Sequence, residues 1–149
     1  MLKLNPQTYG DVIKRCYKTK DPLFVGGPPG IGKSEIPRQV FKQIAKDKGL
    51  EFVIWNNTNK EEKGKLFENP EKYFVLCDQR LSQMDTTDLR GIPKLTGDTL
   101  EPLPPAWIVY FCKLKSDGVI FFDEINLATP IVVGSAYQII NDRSMSDMK

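Results

Sequence analysis

The sequence LFVGGPPGIGKSEIP, Leu23 to Pro37, joins a short apolar run to a loop rich in glycine and proline. Within it, Gly27 to Ser34 fits the pattern G-x-x-x-x-G-K-S. Glycines permit positive φ and let backbone N–H groups approach an anion without a Cβ in the way. The apolar run predicts a buried strand, and the spacing from Ile36 to Ile44 predicts an amphipathic helix. The stretch therefore predicts a strand, a phosphate-binding loop and a helix in succession.

Individual residues of this loop have separate expected roles. Lys33 would bring a mobile positive charge to the outer phosphates, and Ser34 would offer its hydroxyl to Mg²⁺. The helix that follows directs unpaired N–H groups and its positive dipole end at the same charge. The predicted nucleotide contacts are Gly27, Pro28, Pro29, Gly30, Ile31, Gly32, Lys33, Ser34 and Glu35. The alternative is a glycine-rich turn that binds nothing, and the flanking strand and helix favour the binding loop.

A second acidic element is expected opposite such a loop. The segment GVIFFDE reads as a buried strand, with Val119 to Phe122 apolar and two acids at its end. We expect this strand beside the first one, which would bring Asp123 to the carboxyl edge of the sheet. Asp123 then suits Mg²⁺ and its water shell, and Glu124 suits polarising an attacking water. The alternative is a pair of solvated acids, which the agreement with the glycine loop disfavours.

The composition excludes several classes of function. The chain has 149 residues, which suits one domain, and 21 basic against 19 acidic residues give a net charge of +2. This balance supports neither nucleic-acid nor anionic-membrane binding. There is no histidine, so metal sites and triads that need imidazole are excluded. The longest apolar run, Val119 to Phe122, is too short to cross a bilayer, and the first residues do not form a signal peptide.

The cysteines indicate a reducing environment. Cys16, Cys77 and Cys112 are widely spaced, and no two of them form a Cys-x-x-Cys pair. This spacing suggests neither a zinc site nor a disulfide framework. We expect free thiols, buried or partly buried, and an intracellular setting.

The remaining pattern alternates helices and strands. Asn5-Pro6 is a helix-start signal and predicts an N-terminal helix over residues 6–18. Residues 51–55 and 73–81 read as strands, and the polar residues 57–72 read as a solvated insertion. Such alternation predicts an α/β fold with a parallel sheet and crossover connections.

Three further segments precede or follow the acidic strand. Residues 92–103 have the turn chemistry of a hairpin with Thr96, Gly97 and Asp98 at its tip. Residues 107–114, WIVYFCKL, could be strand or helix, because periodicity does not decide. The last segment predicts a helix capped by Thr129, with Pro130 at its first position.

These motifs together resemble a known family. GGPPGIGKSE looks like the Walker A motif of AAA+ ATPases, and VIFFDEIN looks like their Walker B motif. QRLSQMDTTDLRGIP, LPPAWI and IFFDEINLATPIVVGSAYQIINDR resemble the MoxR-like branch of bacteria and phages. The resemblance extends from Leu23 to Arg143. It implies a P-loop NTPase three-layer sandwich with a parallel sheet, of the AAA+ type.

The resemblance also implies a function. It implies ATP and Mg²⁺ as cofactors, with Glu124 and Lys33 catalytic and with Ser34 and Asp123 as metal ligands. ATP hydrolysis would remodel a protein partner, by a hexamer-type homo-oligomeric ring, in the cytoplasm of a bacterial cell or phage-infected host. The alternative is a nucleotide-binding fragment without independent turnover that acts within a larger assembly. A small-molecule kinase shares the glycine loop, but the DEIN segment fits AAA+ proteins better.

The resemblance further divides the chain. Residues 1–149 would be a partial AAA+ core, truncated before the sensor strand, the arginine finger and the helical lid. Its expected parts are 6–18 (helix), 22–56 (strand, Walker A and helix), 57–72 (polar insertion), 92–103 (hairpin insert) and 118–143 (Walker B strand and helix). In relatives the hairpin can face the pore of a ring, which makes its tip a candidate for partner contact. The alternative is a plain solvent-exposed hairpin.

Overall fold

The computed structural model describes residues 5–28 and 30–142. The chain divides into two compact units, residues 1–52 and 53–149. The helices are α1 (Pro6–Thr19), α2 (Glu35–Asp47), α3 (Lys60–Glu68), α4 (Thr86–Arg90), α5 (Ala106–Lys113) and α6 (Pro130–Asp142). The strands are β1 (Glu51–Ile54), β2 (Tyr73–Arg80), β3 (Ile92–Thr96), β4 (Thr99–Leu103) and β5 (Asp117–Asp123).

The first unit is built on the helix pair α1 and α2. Asn5 caps α1, because the Thr8 N–H donates to Asn5 Oδ1 at 2.8 Å, as its helix-start signal predicts. Tyr9 and Ile13 are the buried residues of α1, and α2 buries Pro37, Phe41 and Ala45. Both helices therefore bury one apolar stripe each, with the spacing that the sequence shows.

The strand expected before the glycine loop is absent from residues 21–28. These residues have no regular secondary structure, and the side chains of Leu23 and Phe24 are 40% and 68% exposed. A strand makes no hydrogen bonds within itself, so it forms only where a neighbouring strand accepts its backbone groups. In its described residues, 5–28 and 30–52, the first unit contains two helices and the beginning of β1. The sheet to which β1 belongs does not include residues 22–25. The prediction of a buried strand here is wrong.

The second unit contains the sheet, whose strand order is β1-β2-β5. Strands β2 and β5 are parallel, in a register that runs from Phe74 opposite Asp117 to Arg80 opposite Asp123. Because β5 is the last strand of the sheet, it is half-buried along its length rather than fully buried as predicted. The sequence also predicts that β5 lies beside a strand formed just before the glycine loop. That prediction is wrong, because residues 21–28 form no strand and β5 pairs with β2.

Strand β2 lies at the centre of this unit. Four successive residues from Phe74 to Cys77 are at most 1% exposed, so β2 is buried on both faces. The main cluster of buried side chains contains Trp55, Leu66, Val75, Cys77, Leu81, Leu89, Trp107, Ile108, Tyr110, Val132 and Ala136. Three aromatic rings pack around Tyr110 in this core. The ring centres of Trp55, Phe67 and Phe111 lie 5.5 to 5.6 Å from the ring centre of Tyr110. Helices α3, α4, α5 and α6 thus all contribute side chains to one core.

Residues 57–72, predicted from their polar composition to be a solvated insertion, contain the helix α3. Asn59 starts α3 with a capping box, since the Glu62 N–H donates to Asn59 Oδ1 at 2.9 Å and the Asn59 N–H donates to Glu62 Oε2 at 2.8 Å. Leu66, at 2% exposed, anchors the helix to the core. The segment is therefore a packed element rather than an open connection.

The later segments follow the predicted order. Strands β3 and β4 form an antiparallel hairpin from Ile92 to Leu103, and every residue in its strands is exposed. The segment that periodicity left undecided is the helix α5. Helix α6 begins at Pro130, and the Val133 N–H donates to the Thr129 carbonyl at 3.0 Å. Arg143 lies outside the described residues.

No helix within residues 5–28 and 30–142 has both the length and the apolar character needed to cross a membrane.

The thiol of Cys77 provides a test of the β2 core. Burial raises its pKa from 9.0 to about 12, because the thiolate would lose its hydration. Cys16 and Cys112 are only partly buried. At pH 8 we expect an alkylating reagent to modify Cys16 and Cys112 first, and Cys77 only after unfolding. Peptide mapping of the time course by mass spectrometry, with and without urea, measures this order.

The same thiol predicts a pH dependence of stability. Between pH 9 and about 12 the unfolded chain loses the Cys77 proton while the native chain keeps it, so the free energy of unfolding falls as the pH rises. The slope from this group is at most about 1.4 kcal/mol per pH unit. A Cys77→Ala variant should lose that part of the slope. An identical slope in both proteins would contradict the buried position of the thiol.

Candidate functional site

The glycine loop bends because two of its glycines adopt positive φ. Gly30 and Gly32 have φ of 82° and 84°, in the region that side chains with a Cβ rarely occupy. A Cβ built on Gly30 would have no atom within 4 Å, so open space adjoins the backbone at that point. The Ile36 N–H then donates to the Gly32 carbonyl at 3.0 Å, which closes the first turn leading into α2. The backbone thus curves directly before a helix N-terminus.

The charged side chain of the loop folds back across it. The Lys33 ammonium donates to the Gly27 carbonyl at 2.6 Å, which joins the two ends of the loop. Ser34 is the N-cap residue of α2. Glu35 opens α2, and its Oε1 accepts a hydrogen bond from Gln39 Nε2 at 3.1 Å. Of the other predicted contacts, Pro28 and Ile31 are exposed, and Pro29 lies outside the described residues.

The acidic pair lies in the second unit, where β5 ends. The Glu124 N–H donates to Asp123 Oδ1 at 2.8 Å, which orients that carboxylate. Glu124 itself has φ 55° and ψ 33°, in the left-handed region. A residue with a side chain is sterically strained there, and such strain is concentrated at functional sites. The Leu127 N–H donates to the Glu124 carbonyl at 3.0 Å and closes the turn after the strand.

Ser82 completes this group, and the sequence interpretation missed it. Its hydroxyl donates to Glu124 Oε2. The contact follows from the sheet register: Arg80 lies opposite Asp123, so the residues just beyond the two strand ends are neighbours. The only signal in the sequence is the position of Ser82 directly after a predicted strand.

Asn56 holds the carboxyl end of β2 in place. Its Nδ2 donates to the Asp78 carbonyl at 2.6 Å, and its Oδ1 accepts from the Asp78 N–H at 2.9 Å. The side-chain amide therefore pairs with the β2 backbone as a neighbouring strand would. This pair supports the strand end that leads to Ser82.

The oxygen donors available are those that Mg²⁺ prefers. Ser34 offers a hydroxyl and Asp123 a carboxylate, and Mg²⁺ is usually held by one or two protein groups together with water and phosphate. Within residues 5–28 and 30–142 no group of three or more cysteine or acidic residues could hold a metal by itself. Ser34 and Asp123 are thus each of a chemical type that can bind Mg²⁺ beside a phosphate ligand.

A comparison with protein families decides between the possible classes. A family model described as an AAA domain of the dynein-related subfamily matches residues 22–149. The chain belongs to the AAA domain family. Its α/β architecture with a parallel three-stranded sheet agrees with that assignment. Family membership indicates an ATPase that binds and hydrolyses ATP, usually with Mg²⁺.

Two other comparisons add no relatives. Neither the curated proteins nor the solved structures yield a significant match to this AAA domain. The family assignment therefore confirms the AAA+ part of the resemblance.

The strained backbone at Glu124 provides a test within this AAA domain. Glycine normally destabilises a protein relative to alanine, but at a left-handed position the order reverses by about 1–2 kcal/mol. Glu124→Gly should therefore unfold with a higher free energy than Glu124→Ala, since both variants lose the carboxylate equally. Urea unfolding measures the difference.

A matched pair on α6 gives the control. Gln138 is exposed in the middle of that helix, so Gln138→Gly should be less stable than Gln138→Ala by about 1 kcal/mol. The left-handed conformation of Glu124 would be contradicted if both pairs favoured alanine.

Proposed function

We propose that this AAA domain binds ATP together with Mg²⁺ and hydrolyses it, as part of a MoxR-like machine that remodels a protein partner. The observation that carries the proposal is the loop geometry. Gly30 and Gly32 curve the backbone ahead of α2, and the Lys33 ammonium lies across the loop on the Gly27 carbonyl. These are the features that hold a polyphosphate at a helix N-terminus.

The loop binds the phosphates by exchanging one partner of Lys33 for another. In the structure the ammonium donates to a neutral carbonyl, that of Gly27. A phosphate oxygen carries negative charge, so the ammonium gains a Coulombic attraction there that the neutral carbonyl does not provide. Bound ATP would therefore attract the ammonium, while the N–H groups from Gly30 to Glu35 meet the remaining oxygens.

Mg²⁺ would be held by Ser34 and Asp123. When bound, the ion neutralises charge that develops on the phosphate oxygens. The chain's own contribution is to orient the carboxylate, and the Glu124 N–H at Asp123 Oδ1 supports that role.

Glu124 is the residue that we assign to the attacking water. A carboxylate can accept the proton that water loses as its oxygen attacks phosphorus. The Ser82 hydroxyl fixes Oε2, and the left-handed backbone sets the direction of the side chain. A carboxylate restrained by such a hydrogen bond loses less entropy when the reaction requires one orientation.

The finer assignment rests on sequence segments and on one exposed element. The segments DLRGIP and DEIN support the MoxR-like branch, and with it a hexamer-type ring in the cytoplasm of a bacterial cell or phage-infected host. The exposed hairpin of β3 and β4 is the feature that supports the proposal of a protein partner. Leu95 lies opposite Leu100 in it, with side chains 68% and 71% exposed. We propose that this hairpin, with its tip at Thr96 to Asp98, contacts the remodelled protein.

Removal of the loop charge tests nucleotide binding. Lys33→Ala deletes a charge-assisted contact to phosphate, so we expect mant-ATP to bind at least about tenfold more weakly in a fluorescence titration. Lys42→Ala, on the exposed face of α2, is the matched control and should bind like the wild type. Unchanged affinity in Lys33→Ala would refute the loop as the phosphate site.

Neutralisation of Glu124 tests hydrolysis separately from binding. Glu124→Gln keeps the size of the side chain but removes the proton acceptor, so phosphate release should fall at least about 100-fold while mant-ATP affinity stays within about twofold. Glu68→Gln, exposed at the end of α3, should release phosphate at the wild-type rate. If the wild-type protein binds ATP with Mg²⁺ but releases no phosphate, the proposal of hydrolysis is refuted and only nucleotide binding stands.

A further inference from the structure

We propose that Tyr9, on helix α1, positions the phosphate loop by supplying a hydrogen bond that Pro37 is unable to make. Tyr9 is not part of the glycine loop or the acidic strand, and it acts through the backbone of Lys33. Its effect on nucleotide affinity rests on the function proposed above. The contact itself joins two residues of the chain.

The need for this hydrogen bond arises from the turn that starts α2. The Ile36 N–H donates to the carbonyl four residues earlier, that of Gly32, at 3.0 Å. Continued in register, the turn would place the N–H of residue 37 on the Lys33 carbonyl. Residue 37 is a proline, which has no N–H, and it is buried in α2. The carbonyl at the critical loop position thus lacks its ordinary helical donor.

Tyr9 provides a donor in its place. Its hydroxyl donates to the Lys33 carbonyl at 3.2 Å, across 24 residues of sequence. The Tyr9 side chain is 6% exposed, so packing fixes the ring and the hydroxyl has little freedom. Asn5 fixes the start of α1 by its cap. The donor is therefore held by a rigid element rather than by a mobile side chain.

The contact matters because the same residue carries the loop charge. The peptide of Lys33 leads to the side chain whose ammonium lies on the Gly27 carbonyl. A peptide free to rotate would direct that ammonium less consistently toward a phosphate. Helix α1 is thereby part of the support of the nucleotide site, and Tyr9 is a positioning residue.

A double-mutant experiment tests this directly. Tyr9→Phe removes only the hydroxyl, so mant-ATP should bind about fivefold more weakly to the 149-residue protein. Pro37→Ala restores an N–H that can donate to the Lys33 carbonyl. We expect Pro37→Ala alone to bind like the wild type, and the double variant to bind within about twofold of Pro37→Ala.

Two results would overturn the inference. One is unchanged affinity in Tyr9→Phe, and the other is a double variant that binds as weakly as Tyr9→Phe. A purely structural role for the hydroxyl does not predict rescue by a change on another helix. Tyr17→Phe is the matched control, because its hydroxyl accepts from Lys48 Nζ at 2.8 Å, and it should bind normally.

A measurement without nucleotide separates this inference from the proposed function. In urea unfolding, Tyr9→Phe should lower the folding equilibrium constant about fivefold in the wild-type background, and by less than about twofold in a protein that already carries Pro37→Ala. Additive effects would overturn the inference whether or not ATP binds. Wild-type protein that shows this coupling but binds no mant-ATP would refute the proposed function and leave the Tyr9 contact standing.

Discussion

The parallel pairing of β2 with β5 is the constraint on which the second unit depends. Strand β2 is buried on both faces, so its register with β5 cannot shift without moving core side chains to the wrong face. That register places Arg80 opposite Asp123, and the turns after both strands begin side by side. The contact between Ser82 and Glu124 is a consequence of this pairing. A core interaction thus determines the geometry of two polar side chains outside it.

The glycine loop depends on a different kind of constraint. Its shape depends on the positive φ of Gly30 and Gly32 and on two hydrogen bonds of Lys33. The Lys33 ammonium donates to the Gly27 carbonyl, and the Lys33 carbonyl accepts from the Tyr9 hydroxyl. Such a loop can be held in shape by a few hydrogen bonds rather than by a large buried area. The loop carries a positive charge and backbone N–H donors, whereas the end of β5 carries a carboxylate that a backbone N–H orients.

Local signals in the sequence were sufficient for elements whose cause is local. The cap at Asn5 and the turn at Gly97 depend on neighbouring residues, and both the helix and the hairpin are present as predicted. The prediction of a strand at Leu23 is wrong, because a strand forms only beside a partner strand, and the local sequence does not show whether one is present. Helix α3 was missed because its polar composition obscured the capping box at Asn59.

The candidate site shows the same division. Asp123 and Glu124 were predicted from the strand that precedes them, and the structure places them next to each other at its end. Ser82 and Tyr9 could not be predicted, because their contacts join residues 42 and 24 positions apart. Pairing of distant residues depends on the register of strands and the packing of helices, which are tertiary properties. Motifs therefore suggest candidate reacting groups, and the structure identifies the residues that contact them.

The base of the hairpin has a consequence for how this protein could diversify. Gly91 has φ 86°, and a Cβ there would overlap the Leu103 carbonyl oxygen, so the two ends of the hairpin meet where no side chain fits. Beyond that junction every strand residue is exposed. The junction can therefore stay constant while the residues beyond it change in length or chemistry. Substitutions in the hairpin strands can therefore alter the surface without displacing buried core side chains.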